Sequence, residues 1–178
     1  MRKLLHDEIA QNRLNPNEVE SVKRLPIYVL LDNIRSLYNV GSIFRTSDGA
    51  FIEKIFLTGF TPYPPRPEID KTALGATKTI PWEYYRDPME IIPKLKADGI
   101  KIVSLEHTDS SIPYYNYSPN NYPLCLVIGN EIKGIRDEIL DVTDIAIEIP
   151  MYGVKQSLNV SVAYGIALFD LVRINKSK

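Results

Sequence analysis

Cysteine is nearly absent from this chain. Cys125 stands alone among 178 residues, which excludes an intrachain disulfide and a cysteine-built zinc cluster, and with them the stapled secreted scaffolds. Histidine is almost as scarce, at His6 and His107, so the side chain most often used as a general base has few places to act. No apolar run approaches the ~18 residues of a membrane span, and Asp7 and Glu8 sit where a signal peptide would carry its apolar stretch. A reducing, cytoplasmic location is the expectation. Positive charge is not in excess either: 21 basic and 22 acidic side chains leave a formal charge of −1, so a nucleic-acid partner must be held by a local patch. Residues 1–86 carry 12 basic and 10 acidic side chains and residues 87–178 carry 9 and 12, which makes the first half the better place for an anionic ligand. Neither G-x-G-x-x-G nor G-x-x-x-x-G-K-[ST] occurs, and a nicotinamide or nucleoside-triphosphate site is disfavoured.

What is present is a regular alternation. Short, β-branched apolar runs at Pro26–Leu31, Lys54–Thr58, Ile100–Leu105, Pro123–Ile128 and Ile145–Ile149 read as buried strands, with Thr79–Tyr84 as one more candidate. Helical patterns at Gly41–Ala50, Pro88–Ala97, Gly134–Val142 and Ser157–Arg173 fall between them. Strands alternating with helices of this length predict an α/β fold on a largely parallel sheet. Residues 1–25 read as a short helical extension, with Asn15 as a cap, Pro16 at a first helical position and Glu18 in the first turn; residues 26–178 read as the domain proper. Four prolines, Pro62, Pro64, Pro65 and Pro67, mark Gly59–Asp70 as an extended loop, and a long loop in a compact domain is often functional. Tyr114, Tyr115, Tyr117 and Tyr122 mark a second irregular stretch.

In open α/β sheets ligands bind beyond the carboxyl ends of the strands, and three segments there are polar. After the first strand, Asn39 can cap a helix whose apolar face is Ile43, Phe44 and Phe51, and Arg45 follows six residues later, nearly two turns on. The plain alternative is a capping asparagine and a solvated arginine. After the fifth strand, Gly129-Asn130-Glu131-Ile132-Lys133-Gly134 permits close backbone approach to a ligand, or is a simple strand-to-helix turn with an acid at a helix start. After the last strand, Ile149-Pro150-Met151 leads to Ser157, a sound cap, with Asn159 and Ser161 poor choices inside a helix unless bonded to something. Ala163, Gly165 and Ala167 suit a close helix contact in the core or at a subunit interface.

Together, Asn39-x-Gly41-x-x-x-Arg45-Thr46, Gly129-Asn130-Glu131-x-x-Gly134 and Ile149-Pro150-Met151 with Ser157-Leu158-Asn159-Val160-Ser161 resemble the motifs of the SpoU-like (TrmH-like) RNA 2′-O-methyltransferases of the SPOUT class, over about Pro26 to Leu171. The resemblance implies a parallel-sheet SPOUT (α/β knot) fold with a deep C-terminal trefoil knot. It implies S-adenosyl-L-methionine held by Leu105, Gly129, Ile149, Met151 and Leu158, and a polar catalytic set of Asn39, Arg45, Glu131, Ser157 and Asn159, with no metal. It also implies a homodimer that methylates a ribose 2′-hydroxyl in tRNA or rRNA. Because only about 25 residues precede the motif region, the dimer surface itself is expected to grip RNA, with Arg66, Lys71 and Lys78 as candidate contacts. Arginine keeps its charge through the neutral range, so the preferred role for Arg45 is to bind phosphate and stabilise a developing alkoxide, with the proton going to water or another group; His107 reads as an exposed loop histidine. The rival readings are a non-catalytic knotted RNA-binding protein that retains the cofactor pocket and a flavodoxin-like ligand binder. The intact polar set favours the enzyme.

Overall fold

The computed structural model describes residues 1–177 except 12, 15–17 and 20; Asn15 and Pro16 therefore lie outside the described residues. Seven strands form one sheet in the order β3-β2-β1-β6-β4-β7-β5, and every pairing is parallel. The strands are β1 (Leu25–Asp32), β2 (Ile52–Thr58), β3 (Trp82–Tyr85), β4 (Lys101–Leu105), β5 (Ile112–Pro113), β6 (Leu124–Ile128) and β7 (Ile145–Glu148). Central β1 and β6 pair in register from Ile27 with Leu124 to Leu31 with Ile128. Their near-continuous apolar runs follow from burial on both faces. Ile27, Val29 and Leu31 point to a core shared with helices α2 (Leu37–Ala50), α3 (Pro67–Ala73) and α6 (Val160–Lys176). Leu30, Cys125 and Val127 point to a second core under α4 (Ile92–Ala97) and α5 (Asp137–Leu140). The remaining helix, α1 (His6–Ala10), has no buried residue.

Helix starts differ from the sequence expectation for local reasons. Ser36, not Asn39, caps α2: its hydroxyl accepts from the Asn39 N–H at 3.3 Å, which places Asn39 inside the first turn and frees its side chain. Phe51 closes the helix with φ 54° instead of extending its apolar face. In α6 the cap is Asn159, not Ser157, and its Oδ1 accepts from the N–H groups of Ser161 and Val162. The 59–70 segment is not all loop: Pro67 stands at the start of α3, the one helical place where a missing N–H costs nothing. The Pro88–Ala97 pattern divides into a 3₁₀ turn at Pro88–Glu90 and α4. The two-residue β5 has no periodicity to betray it, and its Pro113 is tolerated because the strand is an edge. Within the first core, a buried hydroxyl pair, Ser47 with Tyr164 at 2.6 Å, fastens α2 to α6.

Candidate active site

All strands end at the same edge, and there the segments following β4, β6 and β7 enclose a cavity of about 350 Å³, within the range of small-molecule sites. Leu105, Ile128, Ile149, Met151, Leu158 and Ala163 supply apolar wall, while Glu106, His107, Glu131, Ser157 and Asn159 supply polar groups.

The loop after β6 is shaped by its own backbone. Asn130 and Gly134 exchange N–H···O bonds at 3.0 and 2.9 Å, and Asn130 Oδ1 accepts from the N–H groups of Ile132 and Lys133. Asn130 Nδ2 donates to the Asn33 carbonyl at 2.7 Å, tying this loop to the end of β1. Two glycines are required by close approach: a Cβ on Gly129 would strike the Gly134 backbone, and one on Gly134, at φ +71°, would strike the Glu106 carboxylate. That carboxylate is committed to accepting the Ile135 N–H at 3.0 Å. Beside it, fully buried Asp32 takes two 2.8 Å bonds from Arg136 and a 2.7 Å bond from the Thr58 hydroxyl, so the charged end of β1 pins the chain that leaves the loop.

The three polar motifs meet in one hydrogen-bonded line. Glu131 Oε2 accepts the Arg35 N–H at 2.9 Å, and Oε1 accepts the Ser36 N–H at 3.2 Å and Asn39 Nδ2 at 3.1 Å. Asn39 Oδ1 in turn accepts Asn159 Nδ2 at 3.2 Å, and Asn159 Oδ1 caps α6. Partial burial works to raise the Glu131 carboxyl, but the N–H donors of Arg35, Ser36 and Asn39 outweigh it and hold the group below its ordinary value. Glu131 is thus an anion whose oxygens are already engaged. Its chemistry here is to position.

The structure brings Asn39, Glu131 and Asn159 together, and Leu105, Gly129, Ile149, Met151, Leu158, Glu131, Ser157 and Asn159 all line the cavity. Asn39 stands behind that lining. Arg45 does not line it; it is exposed on α2 and makes no ion pair or side-chain hydrogen bond among the described residues. Ser157 is likewise exposed and unbonded among the described residues. Sequence reasoning missed Asp32 with Arg136, 104 residues apart, and Glu106. It also missed Glu148, which accepts from Ser111 at 2.6 Å and lies 3.3 Å from His107 Nδ1; these two contacts lower its carboxyl. The only sequence signal for Asp32 was a charged residue ending an otherwise apolar strand. Among the described residues no group of His, Cys, Asp and Glu is arranged to hold a metal, and no helix is long and apolar enough to cross a membrane.

A parallel sheet with its pocket at the carboxyl ends, ringed by these motif loops, defines an α/β enzyme of the SPOUT type. The SpoU rRNA Methylase family model matches residues 26–169, and the chain belongs to that family. It is 32% identical over 164 residues to a tRNA (guanosine(18)-2′-O)-methyltransferase of Aquifex aeolicus, covering 90% of this chain and 75% of that one. Among solved structures, the A. aeolicus TrmH/SpoU tRNA modifying enzyme superposes with a TM-score of 0.81 at 29% identity, over 91% of this chain and 83% of that chain. An AdoMet-bound rRNA methyltransferase from Sinorhizobium meliloti gives 0.79 at 30%, over 87% and 59%. The chain spans 61–66% of the length of several other curated relatives.

Proposed function

We propose that this chain binds S-adenosyl-L-methionine in the cavity beyond β4, β6 and β7 and passes its methyl group to a ribose 2′-hydroxyl of tRNA or rRNA. The observation that carries the reading is the line Glu131–Asn39–Asn159, which joins the three motifs at the rim of a pocket walled by the five residues expected to hold the cofactor. As a SpoU family member the chain is an S-adenosyl-L-methionine-dependent RNA ribose-2′-O-methyltransferase. The donor set suits that cofactor: apolar walls from Leu105, Ile149, Met151 and Leu158 fit a nucleoside ring, and carboxylates near the rim suit a sulfonium cation. When bound, the cofactor supplies an electrophilic methyl group; the oxygen–carbon bond forms as the sulfur–carbon bond breaks, and the 2′-hydroxyl proton leaves.

Glu131 and Asn159 fix Asn39 and the start of α6, so that the rim keeps one geometry for in-line attack. Arg45 makes no ion pair among the described residues, and in this reading it holds the adjacent phosphate and stabilises charge growing on the 2′-oxygen, while the proton passes to solvent. Ser157 offers an unbonded hydroxyl to substrate or cofactor. Residues 26–178 form the catalytic domain and residues 1–25 an extension, working in the cytoplasm where tRNA and rRNA are found.

A homodimer belongs to the same proposal. Val162, Ile166 and Phe169 are 50%, 37% and 50% exposed along one stripe of α6, and such a stripe marks an interface more often than a free surface. The trefoil threading that the resemblance implies belongs to this proposal as well, and the strand order, with β6 between β1 and β4, is compatible with it. Methyl transfer into tRNA and rRNA transcripts, with calorimetry for the cofactor, tests the reading. Arg45→Ala is expected to bind cofactor like the wild type and to transfer about 10²-fold more slowly; equal transfer removes Arg45 from the reaction, and absence of cofactor binding at ~1 mM ends the proposal.

A further inference from the structure

The carboxyl edge of the sheet carries a second built surface, on the far side of β1 from the cavity. Tyr63, in the loop after β2, lies over Tyr84 with centroids 4.6 Å and planes 40° apart, and beside Trp82 at 6.3 Å and 29°. Tyr63 and Tyr84 remain 44% and 37% exposed, and Phe60 is 60% exposed. This is a fixed surface: Tyr84 Oη donates to the Gly59 carbonyl at 2.7 Å, and Pro64 is buried. The Phe60 N–H donates to Asn33 Oδ1 at 3.1 Å. The carbonyl of that same Asn33 receives Asn130 of the cavity loop, so the aromatic loop and the cavity loop hang from one residue. Strand β3 is three places from β6, which at ~4.8 Å per strand separates these two strands by about 14 Å.

We propose that Phe60, Tyr63 and Tyr84 form a stacking platform for an unpaired nucleobase of the RNA, flanking the nucleotide whose ribose enters the cavity, with Arg66 and Arg86 on neighbouring phosphates. The inference rests on the methyltransferase reading above and adds where the substrate lies. Both arginines are exposed and make no ion pair or side-chain hydrogen bond among the described residues. A chain of net charge −1 must concentrate its phosphate contacts, since RNA affinity comes from cations that displace counterions. Exposed rings interleaved with unpaired arginines on the substrate edge match single-strand recognition, in which any base can stack. A protein-docking face would not need the free cations.

The test titrates the full chain with a labelled oligouridylate and with tRNA transcripts, alongside cofactor calorimetry, thermal melting and methyl-transfer kinetics. Replacing both Tyr63→Leu and Tyr84→Leu is expected to weaken oligouridylate binding about 10-fold or more. It should raise KM for RNA and leave kcat at saturating RNA and cofactor affinity intact. Tyr63→Phe keeps the ring and should bind as the wild type does. Arg66→Gln with Arg86→Gln should flatten the salt dependence of oligouridylate binding by about 1.4 in log–log slope. If the double tyrosine variant melts early, Phe60→Ala, which removes an exposed ring, must show the same loss. RNA affinity within twofold of wild type in folded ring variants overturns the platform, leaves the rings to a protein contact and leaves the methyltransferase reading standing. Loss of oligouridylate affinity in a protein that transfers no methyl group to RNA keeps the platform and removes the reaction.

Discussion

Replacing Glu131 with glutamine removes one charge and almost no volume, and its cost can be worked from three bonds. The carboxylate accepts N–H groups from Arg35, Ser36 and Asn39 at 2.9, 3.2 and 3.1 Å. A glutamine oxygen can keep the pair on one side, but its NH₂ then faces the donor on the other, so one N–H loses its acceptor and the others lose a charged one. Hydrogen bonds to charged groups contribute about 1.5–3 kcal/mol and neutral ones about 0.5–1.5. The site borders solvent, which substitutes water and screens charge, so the expected net loss is about 1–2 kcal/mol at pH 7, read by urea denaturation. The pH dependence has a definite sign. The folded carboxyl lies below its unfolded value of 4.5, so its contribution is complete above that value and is lost as pH falls through the folded value. The gap between wild type and Glu131→Gln should therefore be constant from pH 7 to about 5 and close in stronger acid. Because Asn39 loses its anchor, methyl transfer should fall by about 10²-fold, the scale of a misplaced reacting geometry, with a smaller change in cofactor affinity. Equal stability at neutral pH, or a gap that persists unchanged in acid, would refute the reasoning.

Arg136→Met strands the buried Asp32 carboxylate and should destabilise by about 3 kcal/mol, with Asp32→Asn on the same background restoring part of it; thermal melting of the single and double variants measures both. Asn159→Ala should cost about 1 kcal/mol as a lost cap, while Asn159→Ser should recover the stability but not the transfer rate, because serine cannot reach Asn39 as well as cap α6. Ile166→Asp should turn a dimer near twice 20.3 kDa into a monomer by light scattering, and a variant that stays dimeric would move the interface off α6.

The sheet was legible because burial on both faces leaves apolar runs such as Leu124–Ile128 with little competing signal. Helix starts were less so: Asn39 and Ser36 are both good caps, three residues apart, and only the backbone decides which hydroxyl or amide turns inward. Leu105, Gly129, Ile149, Met151 and Leu158, named from the resemblance, all line the cavity because each sits at or beyond the carboxyl end of β4, β6 or β7. The Asp32–Arg136 pair was not. It joins residues 104 apart whose proximity depends on β6 lying beside β1, and strand order has no local signature. The aromatic platform falls between these cases: the prolines of 62–67 announced a loop, but Tyr84 reaches it from another strand.

The arrangement divides the polar residues into two kinds. Asn39 gives one amide N–H to Glu131 and its oxygen to Asn159, and Asn159 commits its own oxygen to α6, so these bonds hold the line in place. Arg45 is not so committed. It shares a face of α2 with Gly49, four residues on, and Gly49 lies against Phe169 of the exposed α6 stripe, a Cβ there standing 3.9 Å from the ring. The cation proposed to meet RNA therefore stands on the face of α2 that leads to the surface proposed for a second copy. A bonded network fixes the geometry, and a partner seated on that stripe would limit the side-chain freedom of an arginine that makes no ion pair among the described residues. On this argument Ile166→Asp should cost transfer far more than cofactor binding. A monomeric variant that transfers at the wild-type rate would show that Arg45 needs no such support.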